Sequence, residues 1–179
     1  MKVIMKKLLI LLSTVFISHL ASAQEYGQGL IFDDTPEMYL PMSAPLVKGN
    51  MNLPRAYSIE QYCPTPGRKK KTGTCTAWAL AYYARTIIAA RHMGLSGEPV
   101  NEIIFSPSYI FEQIKSPEDY NCLKGTLIKE GMETMKTKGV PLLNDLPFAC
   151  GISISGEVHQ KAARYKIGGH KMLFTVNSA

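Results

Sequence analysis

Residues 73–82 read Gly73-Thr74-Cys75-Thr76-Ala77-Trp78-Ala79-Leu80-Ala81-Tyr82, and they open the most clearly helical segment of the sequence. Along this segment apolar side chains recur at intervals of three and four residues, at Ala77, Leu80, Ala81, Ala84, Ile87 and Ile88. That spacing lays them along one face of a helix. We predict a helix from residue 74 or 75 to about residue 93, with its apolar stripe buried and Gly94 as its stop.

Cys75 lies in the first turn of this predicted helix. The unpaired backbone N–H groups and the helix dipole at that end favour a thiolate. The same N–H groups can stabilise an oxyanion on a substrate carbonyl. Gly73 has no side chain to obstruct an incoming peptide. Spacing alone fits a nucleophile and a buried or disulfide-bonded cysteine equally well, so both interpretations stay open here.

Further elements follow the central helix. Ser106-Pro107 predicts the start of a second helix, and a third is expected over residues 125–138 with Gly139 as its stop. Residues 53–59 have the composition of a strand, and the tail from residue 161 is expected to be helical and then a strand at 172–176. Four consecutive cations, Arg68–Lys71, lie in a turn-rich loop, where such a run is most often solvated.

The amino-terminal 23 residues have the composition of a secretory signal peptide. Lys2, Lys6 and Lys7 precede a short apolar run, and Ala21-Ser22-Ala23 forms a small-residue cleavage site. About ten apolar residues are too few for a membrane anchor, which needs roughly 20. Removing the three lysines lowers the formal net charge from +6 to about +3. We expect a secreted or periplasmic protein with no membrane attachment after cleavage, in a compartment where disulfides persist.

Four motifs resemble those of papain-like cysteine peptidases, the C1 family. Gly73-Thr74-Cys75-Thr76-Ala77-Trp78-Ala79 resembles the segment around the family's nucleophile. The other three, in the family's order and spacing, are the helix start at Ser106-Pro107-Ser108-Tyr109-Ile110, the turn Cys122-Leu123-Lys124-Gly125, and the connection from Gly139-Val140 to Leu146-Pro147-Phe148. The resemblance covers residues 53–174, and Trp78-Ala79-Leu80-Ala81-Tyr82 is closer to the family's bacterial members.

The resemblance implies an α+β fold of two lobes, of which this chain holds the mainly helical, nucleophile-bearing one. The family's histidine and asparagine lie roughly 130 to 150 residues after the cysteine, beyond Ala179, so the β-rich lobe is expected to be largely missing. His92, His159 and His170 are poor substitutes. The expected organisation is a signal peptide over residues 1–23, an extended lead-in or short pro-segment over 24–52, and a partial peptidase domain over 53–179.

Two positions depart from the family pattern. Lys69 occupies the place of the oxyanion-hole glutamine, six residues before Cys75, and its ammonium is a mobile point charge rather than a fixed amide. Thr72 replaces a cysteine, so the family disulfide made there does not carry over. With Cys75 free, three cysteines remain. We favour a Cys122–Cys150 bridge, which would stabilise by roughly 3 kcal/mol in the chain-entropy model and leave Cys63 odd.

The leading hypothesis is a papain-like peptidase lobe that hydrolyses peptide bonds through Cys75 but is nearly inactive alone, because no histidine activates the thiol. Its partner is a polypeptide substrate. The alternative is a non-catalytic binding or inhibitory module that docks a protein partner on its open cleft face. A thiol oxidoreductase and a zinc site are disfavoured since no Cys-x-x-Cys pair occurs. No cofactor or metal is expected. Nucleic-acid binding is not expected either, since the basic run lacks interleaved aromatic residues.

Overall fold

The computed structural model describes residues 29–31 and 55–170. Within these ranges the fold is α+β, with five α-helices and one small sheet. The predicted signal peptide, most of the lead-in and the predicted strand at 172–176 lie outside the described residues. None of the described helices is long and apolar enough to cross a membrane.

One continuous helix passes through the middle of the fold. It consists of α1 (Cys75–Ala77), a π-helical segment (Trp78–Arg85) and α2 (Thr86–Met93). Gly94 ends it with a φ of 68°, and its N–H donates to the carbonyls of Ala90 and Arg91. The predicted limits of this helix, which we call the central helix, are confirmed.

The buried face of the central helix changes phase along its length. The predicted stripe is confirmed for its first members, Ala77, Leu80 and Ala81, but Ala84 is exposed and Ile88 is 51% exposed. In their place Thr86, Ala89 and Ala90 are buried. A π-helical turn contains more residues than an α-turn, so every side chain after it is rotated relative to a 3.6-residue period. The prediction was wrong for the second half of the helix for this reason.

Two other helices pack near the start of the central helix. α3 (Pro107–Ile114) begins where Ser106 accepts a hydrogen bond from the N–H of Tyr109 at 3.4 Å, as the Ser-Pro signal predicted. α4 (Ile128–Thr137) packs against α3. It starts three residues later than predicted, because Thr126 and Leu127 form a strand.

The sheet joins two segments that are distant in sequence. β1 (Leu30–Ile31) pairs in parallel with β2 (Thr126–Leu127), with Leu30 opposite Thr126. Residues 29–31, the described part of the expected lead-in, therefore belong to the folded structure, with Leu30–Ile31 as a strand. The described part of the expected strand at 53–59, residues 55–59, contains no strand.

The helix of the tail begins five residues earlier than the predicted start at residue 161. α5 (Gly156–Ala162) begins at Ser155, whose side chain accepts from the N–H of Val158 at 3.4 Å, and a 3₁₀ turn (Ala163–Tyr165) follows. Two further 3₁₀ helices lie at Glu60–Tyr62 and Glu98–Ile103.

The main core is formed by side chains of the central helix, α3, α4 and α5, with Phe105, Tyr109, Ile110 and Phe111 as its largest members.

Candidate active site

Cys75 is the first residue of the central helix and carries a free, partly buried thiol. Thr74 precedes it without a side-chain capping bond. The backbone N–H groups at this end of the helix therefore lack the usual side-chain cap, which leaves them able to interact with the sulfur or with an anion. The alternative of a disulfide-bonded or fully buried Cys75 is wrong for this structure.

Residue 29 lies directly against Cys75. Gly29 is buried, and a Cβ placed on it would lie 2.7 Å from Sγ of Cys75 and would clash with the backbone nitrogen and Cβ of the same residue. Such distances leave no room for any side chain at residue 29. Glycine is thus the one residue that lets this backbone approach the thiol so closely.

The Thr76 side chain and the β2 backbone hold Gly29 in this place. The carbonyl of Gly29 accepts from the N–H of Thr126 at 3.2 Å and from the hydroxyl of Thr76 at 2.5 Å. The Thr76 hydroxyl is also 3.2 Å from the carbonyl of Thr126. Because Thr76 follows Cys75 directly, these bonds join the start of the central helix, β1 and β2 around the thiol.

Gly73 packs against the chain's own turn at residues 122–125. A Cβ at residue 73 would lie 2.5 Å from the carbonyl oxygen of Leu123 and 2.6 Å from that of Lys124. The N–H of Gly73 donates to the carbonyl of Cys122 at 2.6 Å. The expectation that Gly73 makes room for an incoming peptide is therefore corrected: Gly73 makes room for this turn, and Gly29 is the glycine at the thiol.

A buried carboxylate shapes the same turn. Asp119 is 4% exposed, and its two carboxylate oxygens accept from the N–H of Leu123 at 2.9 Å and from the N–H of Lys124 at 3.1 Å. Cys122 within the turn has a φ of 52°, which is unusual for a residue with a side chain. Asp119 thus compensates for a strained backbone that leads directly into β2.

Lys69 is engaged with the loop that precedes the thiol. Its ammonium donates to the carbonyl of Thr72, and the Thr72 hydroxyl donates back to the carbonyl of Lys69 at 3.0 Å. The Thr72 hydroxyl also lies 2.8 Å from the hydroxyl of Thr74. The side chain at the family's glutamine position therefore closes a local loop, and its donor is directed at a backbone carbonyl.

Tyr82 anchors the beginning of this loop. Its hydroxyl donates to the carbonyl of Thr65 at 2.8 Å, and its ring stacks on Trp78 with 4.5 Å between centroids. A Cβ on Gly67 would lie 2.4 Å from the Trp78 ring and 2.8 Å from the Tyr82 ring. Burial, with a smaller contribution from neighbouring Tyr83, raises the pKa of Tyr82. The basic loop thus starts from a fixed point on the central helix.

No described histidine forms a hydrogen bond with Cys75. His92 lies at the far end of the central helix, about 25 Å away for 17 residues of helical rise. His159 is bonded through Nδ1 to the hydroxyl of buried Tyr109 at 2.9 Å. Nδ1 of His170 is buried without a hydrogen-bond partner. The described residues therefore supply a thiol without a general base beside it.

The predicted disulfide is confirmed. Cys122 and Cys150 are bonded, with 6.1 Å between their Cα atoms, and Cys63 and Cys75 are free. Glu112 lies beside the bridge, where its carboxylate accepts from the N–H of Gly151 at 2.6 Å. These three side chains are the one cluster of metal-ligand types in the described residues. While the disulfide is intact, its sulfurs are not thiolates and cannot act as zinc ligands.

No local pattern in the sequence identified the residues that surround the thiol. Gly29 lies in a segment without periodicity, and Thr76, Thr126 and Asp119 are ordinary polar residues in the sequence. Gly29, Thr76 and Thr126 bond to partners that are distant in the chain, and Asp119 bonds to a turn of unusual backbone geometry. The nearest clue in the sequence was an aspartate, Asp119, three residues before Cys122 of the predicted turn.

Comparisons with known proteins give one distant structural similarity. No protein-family profile matches the chain, and no curated protein matches it. Among solved structures, the chain is similar to xylellain, a cysteine protease from Xylella fastidiosa, with a TM-score of 0.45 and 20% sequence identity. The match covers 64% of this chain and 55% of the xylellain chain.

Proposed function

We propose that this chain carries the nucleophile of a papain-like cysteine peptidase, with Cys75 as the attacking residue. The observation that carries the proposal is the extended backbone of residues 29–31, which lies against the Cys75 thiol and pairs with β2. An extended peptide at a free, partly buried thiol is the arrangement that peptide-bond cleavage needs. The four sequence motifs described above support the same assignment.

The chemistry follows from the thiolate. The sulfur of Cys75 would add to a peptide carbonyl carbon, with the oxyanion facing the N–H groups at the start of the central helix. The C–N bond would then break, the amine leaving with a proton from a general acid, and water would hydrolyse the thioester. We propose that residues 29–31 occupy the peptide position and shield the thiol until they are displaced.

We further propose that turnover by the chain alone is slow. No described histidine bonds to Cys75, so no imidazole is in place to take the thiol proton or to protonate the leaving amine. The Lys69 ammonium, already bonded to the Thr72 carbonyl, is proposed to hold the loop rather than to donate to substrate. The disulfide and the signal-like amino terminus support a secreted or periplasmic location.

Covalent labelling tests the assignment of the nucleophile. The wild type and Gly29→Ala would be treated with a short peptidyl chloromethyl ketone and, separately, with iodoacetamide, and labelling of Cys75 and Cys63 measured by mass spectrometry. We expect the peptidyl reagent to label Cys75 of Gly29→Ala at least tenfold faster than Cys63, with no such preference for iodoacetamide. Equal rates at the two cysteines would refute the proposal.

A hydrolysis assay tests the claim of slow turnover. Purified chain would be incubated with a fluorogenic peptide beside Cys75→Ala, with Cys63→Ala as the matched control. We expect the wild type and Cys75→Ala to be indistinguishable over hours. Multiple turnovers by the wild type that are lost in Cys75→Ala but retained in Cys63→Ala would confirm the nucleophile and overturn the claim of inactivity.

A second candidate function is peptide binding without cleavage, as in an inhibitory or docking module. Exposed apolar side chains next to the β1–β2 pair favour it: Ile31 is 49% exposed, Leu123 50% and Ile128 46%. Such a group of side chains is typical of an interaction surface. A partner that co-purifies with the wild type while Cys75 stays unlabelled by every reagent would favour this function over the peptidase.

A further inference from the structure

Arg85 is the last residue of the π-helical segment, and the change of phase there directs its side chain toward the interior. Its Nε atom is buried and has no hydrogen-bond partner among residues 29–31 and 55–170. Its guanidinium carbon lies 4.6 Å from the centre of the Phe105 ring, and Phe105 is only 1% exposed. Among the described residues no carboxylate pairs with this cation. A desolvated guanidinium with an unused donor is unfavourable unless something accepts from it.

Two cavities adjoin the Arg85 side chain. The first has a volume of about 250 Å³, and apolar side chains make up most of its lining, among them Phe105, Leu142 and Tyr165. The second has a volume of about 350 Å³ and includes Lys166, Gly168 and Gly169 in its lining. His92 and Arg85 line both cavities. Arg85 therefore stands between a smaller apolar chamber and a larger one that Lys166 also lines.

The charges around these cavities have one sign. The ionisable groups that can be cationic are Arg85, His92 and Lys166, and no acidic residue of the described ranges lines either cavity. Desolvation by burial lowers the pKa of Arg85, in keeping with a cation that has no ion-pair partner in the described part of the chain. Two other cations of the described fold are paired: Lys115 lies 2.8 Å from Glu112 and Lys161 lies 2.9 Å from Asp145.

We propose that this is a binding site for a small organic acid, whose carboxylate is held by Arg85 and whose apolar body fills the chamber lined by Phe105, Leu142 and Tyr165. The planar guanidinium offers a pair of N–H donors that match a carboxylate. A mostly apolar pocket with a few convergent polar groups is the usual form of a small-molecule site. The chamber excludes a large ligand by its volume. This site is independent of Cys75 and of the proposed peptidase function.

Titration with a matched pair of probes tests the proposal. Phenylacetate carries the required charge and ring, and phenylacetamide has nearly the same shape without the charge. Binding would be followed by the shift in melting temperature of the wild type, Arg85→Met and Arg91→Met. Arg91 is exposed in the last turn of the same helix and serves as the control position. We expect phenylacetate to stabilise the wild type and Arg91→Met, with at least tenfold weaker binding to Arg85→Met.

Three results would overturn the site as described. Equal binding of phenylacetate to Arg85→Met and the wild type would remove Arg85 from it. Equal binding of phenylacetamide would mean that the chamber is only an apolar pocket. Equal binding of inorganic phosphate would mean that the apolar body contributes nothing.

A measurement on the wild type covers the case in which Arg85→Met does not fold. Arginine Nε–H signals can be followed by nitrogen-15 NMR during the same titrations. We expect the signal of the buried Arg85 Nε–H to shift with phenylacetate and to stay in place with phenylacetamide. A signal that does not move with phenylacetate at any concentration would refute the proposal.

Discussion

Gly29 and Cys75 are in van der Waals contact although 46 positions separate them in the chain, and a Cβ on residue 29 would lie 2.7 Å from the sulfur. The carbonyl of Gly29 is held at 2.5 Å by the hydroxyl of Thr76, the residue after the cysteine. The thiol is thus covered by the chain's own backbone. Substitution of Gly29 tests this cover directly, and substitutions of Asp119, Cys150, Tyr109 and two further glycines test the surrounding fold.

Substitution of Gly29 by alanine should uncover Cys75. The new Cβ would overlap the backbone of Cys75, which cannot move without disturbing the central helix, so residues 29–31 must move away. We expect iodoacetamide to alkylate Cys75 several-fold faster in Gly29→Ala than in the wild type, by mass spectrometry. Gly168→Ala, where a Cβ meets nothing within 4 Å, is the control. An unchanged rate in Gly29→Ala would show that the segment does not shield the thiol.

Asp119→Asn should destabilise the turn beside the thiol. The substitution keeps the shape of the side chain but replaces one carboxylate oxygen by a donor that faces a backbone N–H. We expect a loss of about 1–3 kcal/mol in the free energy of unfolding, measured with urea. Glu118→Gln is the control, because the Glu118 side chain is 83% exposed. Similar stability of the two variants would mean that the Asp119 bonds are not needed for the turn.

Loss of the Cys122–Cys150 bridge should cost stability that loss of Cys63 does not. The bridge spans 28 residues and restricts the unfolded chain, which corresponds to roughly 3 kcal/mol. We expect Cys150→Ser to unfold at a clearly lower urea concentration than the wild type, and Cys63→Ser to match the wild type. A Cys150→Ser variant as stable as Cys63→Ser would show that the bridge contributes little to stability.

Tyr109 should make the fold sensitive to alkaline pH. Burial raises the pKa of Tyr109 above its ordinary value near 10. The unfolded chain therefore loses this proton at a lower pH than the folded one, and stability falls as the pH rises above about 10. The difference in unfolding free energy between the wild type and Tyr109→Phe should shrink between pH 7 and pH 10.5.

At pH 7, Tyr109→Phe should also be less stable by about 1 kcal/mol, because the bond to His159 is lost. Tyr120→Phe is the control, since Tyr120 is 78% exposed. A wild-type minus Tyr109→Phe difference that is constant over this range would contradict the assignment.

Two glycines with positive φ angles should differ in their tolerance of alanine. Gly94 has a φ of 68° and a Cβ there meets nothing within 4 Å, whereas Gly139 has a φ of 83° and a Cβ there would collide with the carbonyl of Ala162. Gly94→Ala should cost about 1–2 kcal/mol for the backbone conformation alone. Gly139→Ala should cost about 1–3 kcal/mol more because α5 must shift. Equal losses of unfolding free energy in the two variants, measured by urea denaturation, would mean that α5 moves at no energetic cost.

The sequence was sufficient where the determinants are local. The limits of the central helix follow from its apolar spacing and from Gly94, and the start of α3 follows from Ser106-Pro107. The Cys122–Cys150 pairing followed from counting the cysteines that remain when Cys75 is free and from their positions on either side of the predicted third helix. The prediction of which side chains are buried was wrong for the second half of the central helix. The π-helical segment rotates the later side chains, and no periodicity in the sequence reveals this rotation.

By itself, the sequence determined that Cys75 begins a long helix, since helix propensity, capping and apolar spacing act between residues a few positions apart. Only the tertiary structure decided what meets that cysteine and what surrounds Arg85. Strands of two residues carry no periodic signal, and the β1–β2 pairing joins Leu30 to Thr126 across the fold. Such contacts depend on the shape that the packed helices leave between them, which is a property of the whole assembly of elements rather than of any segment.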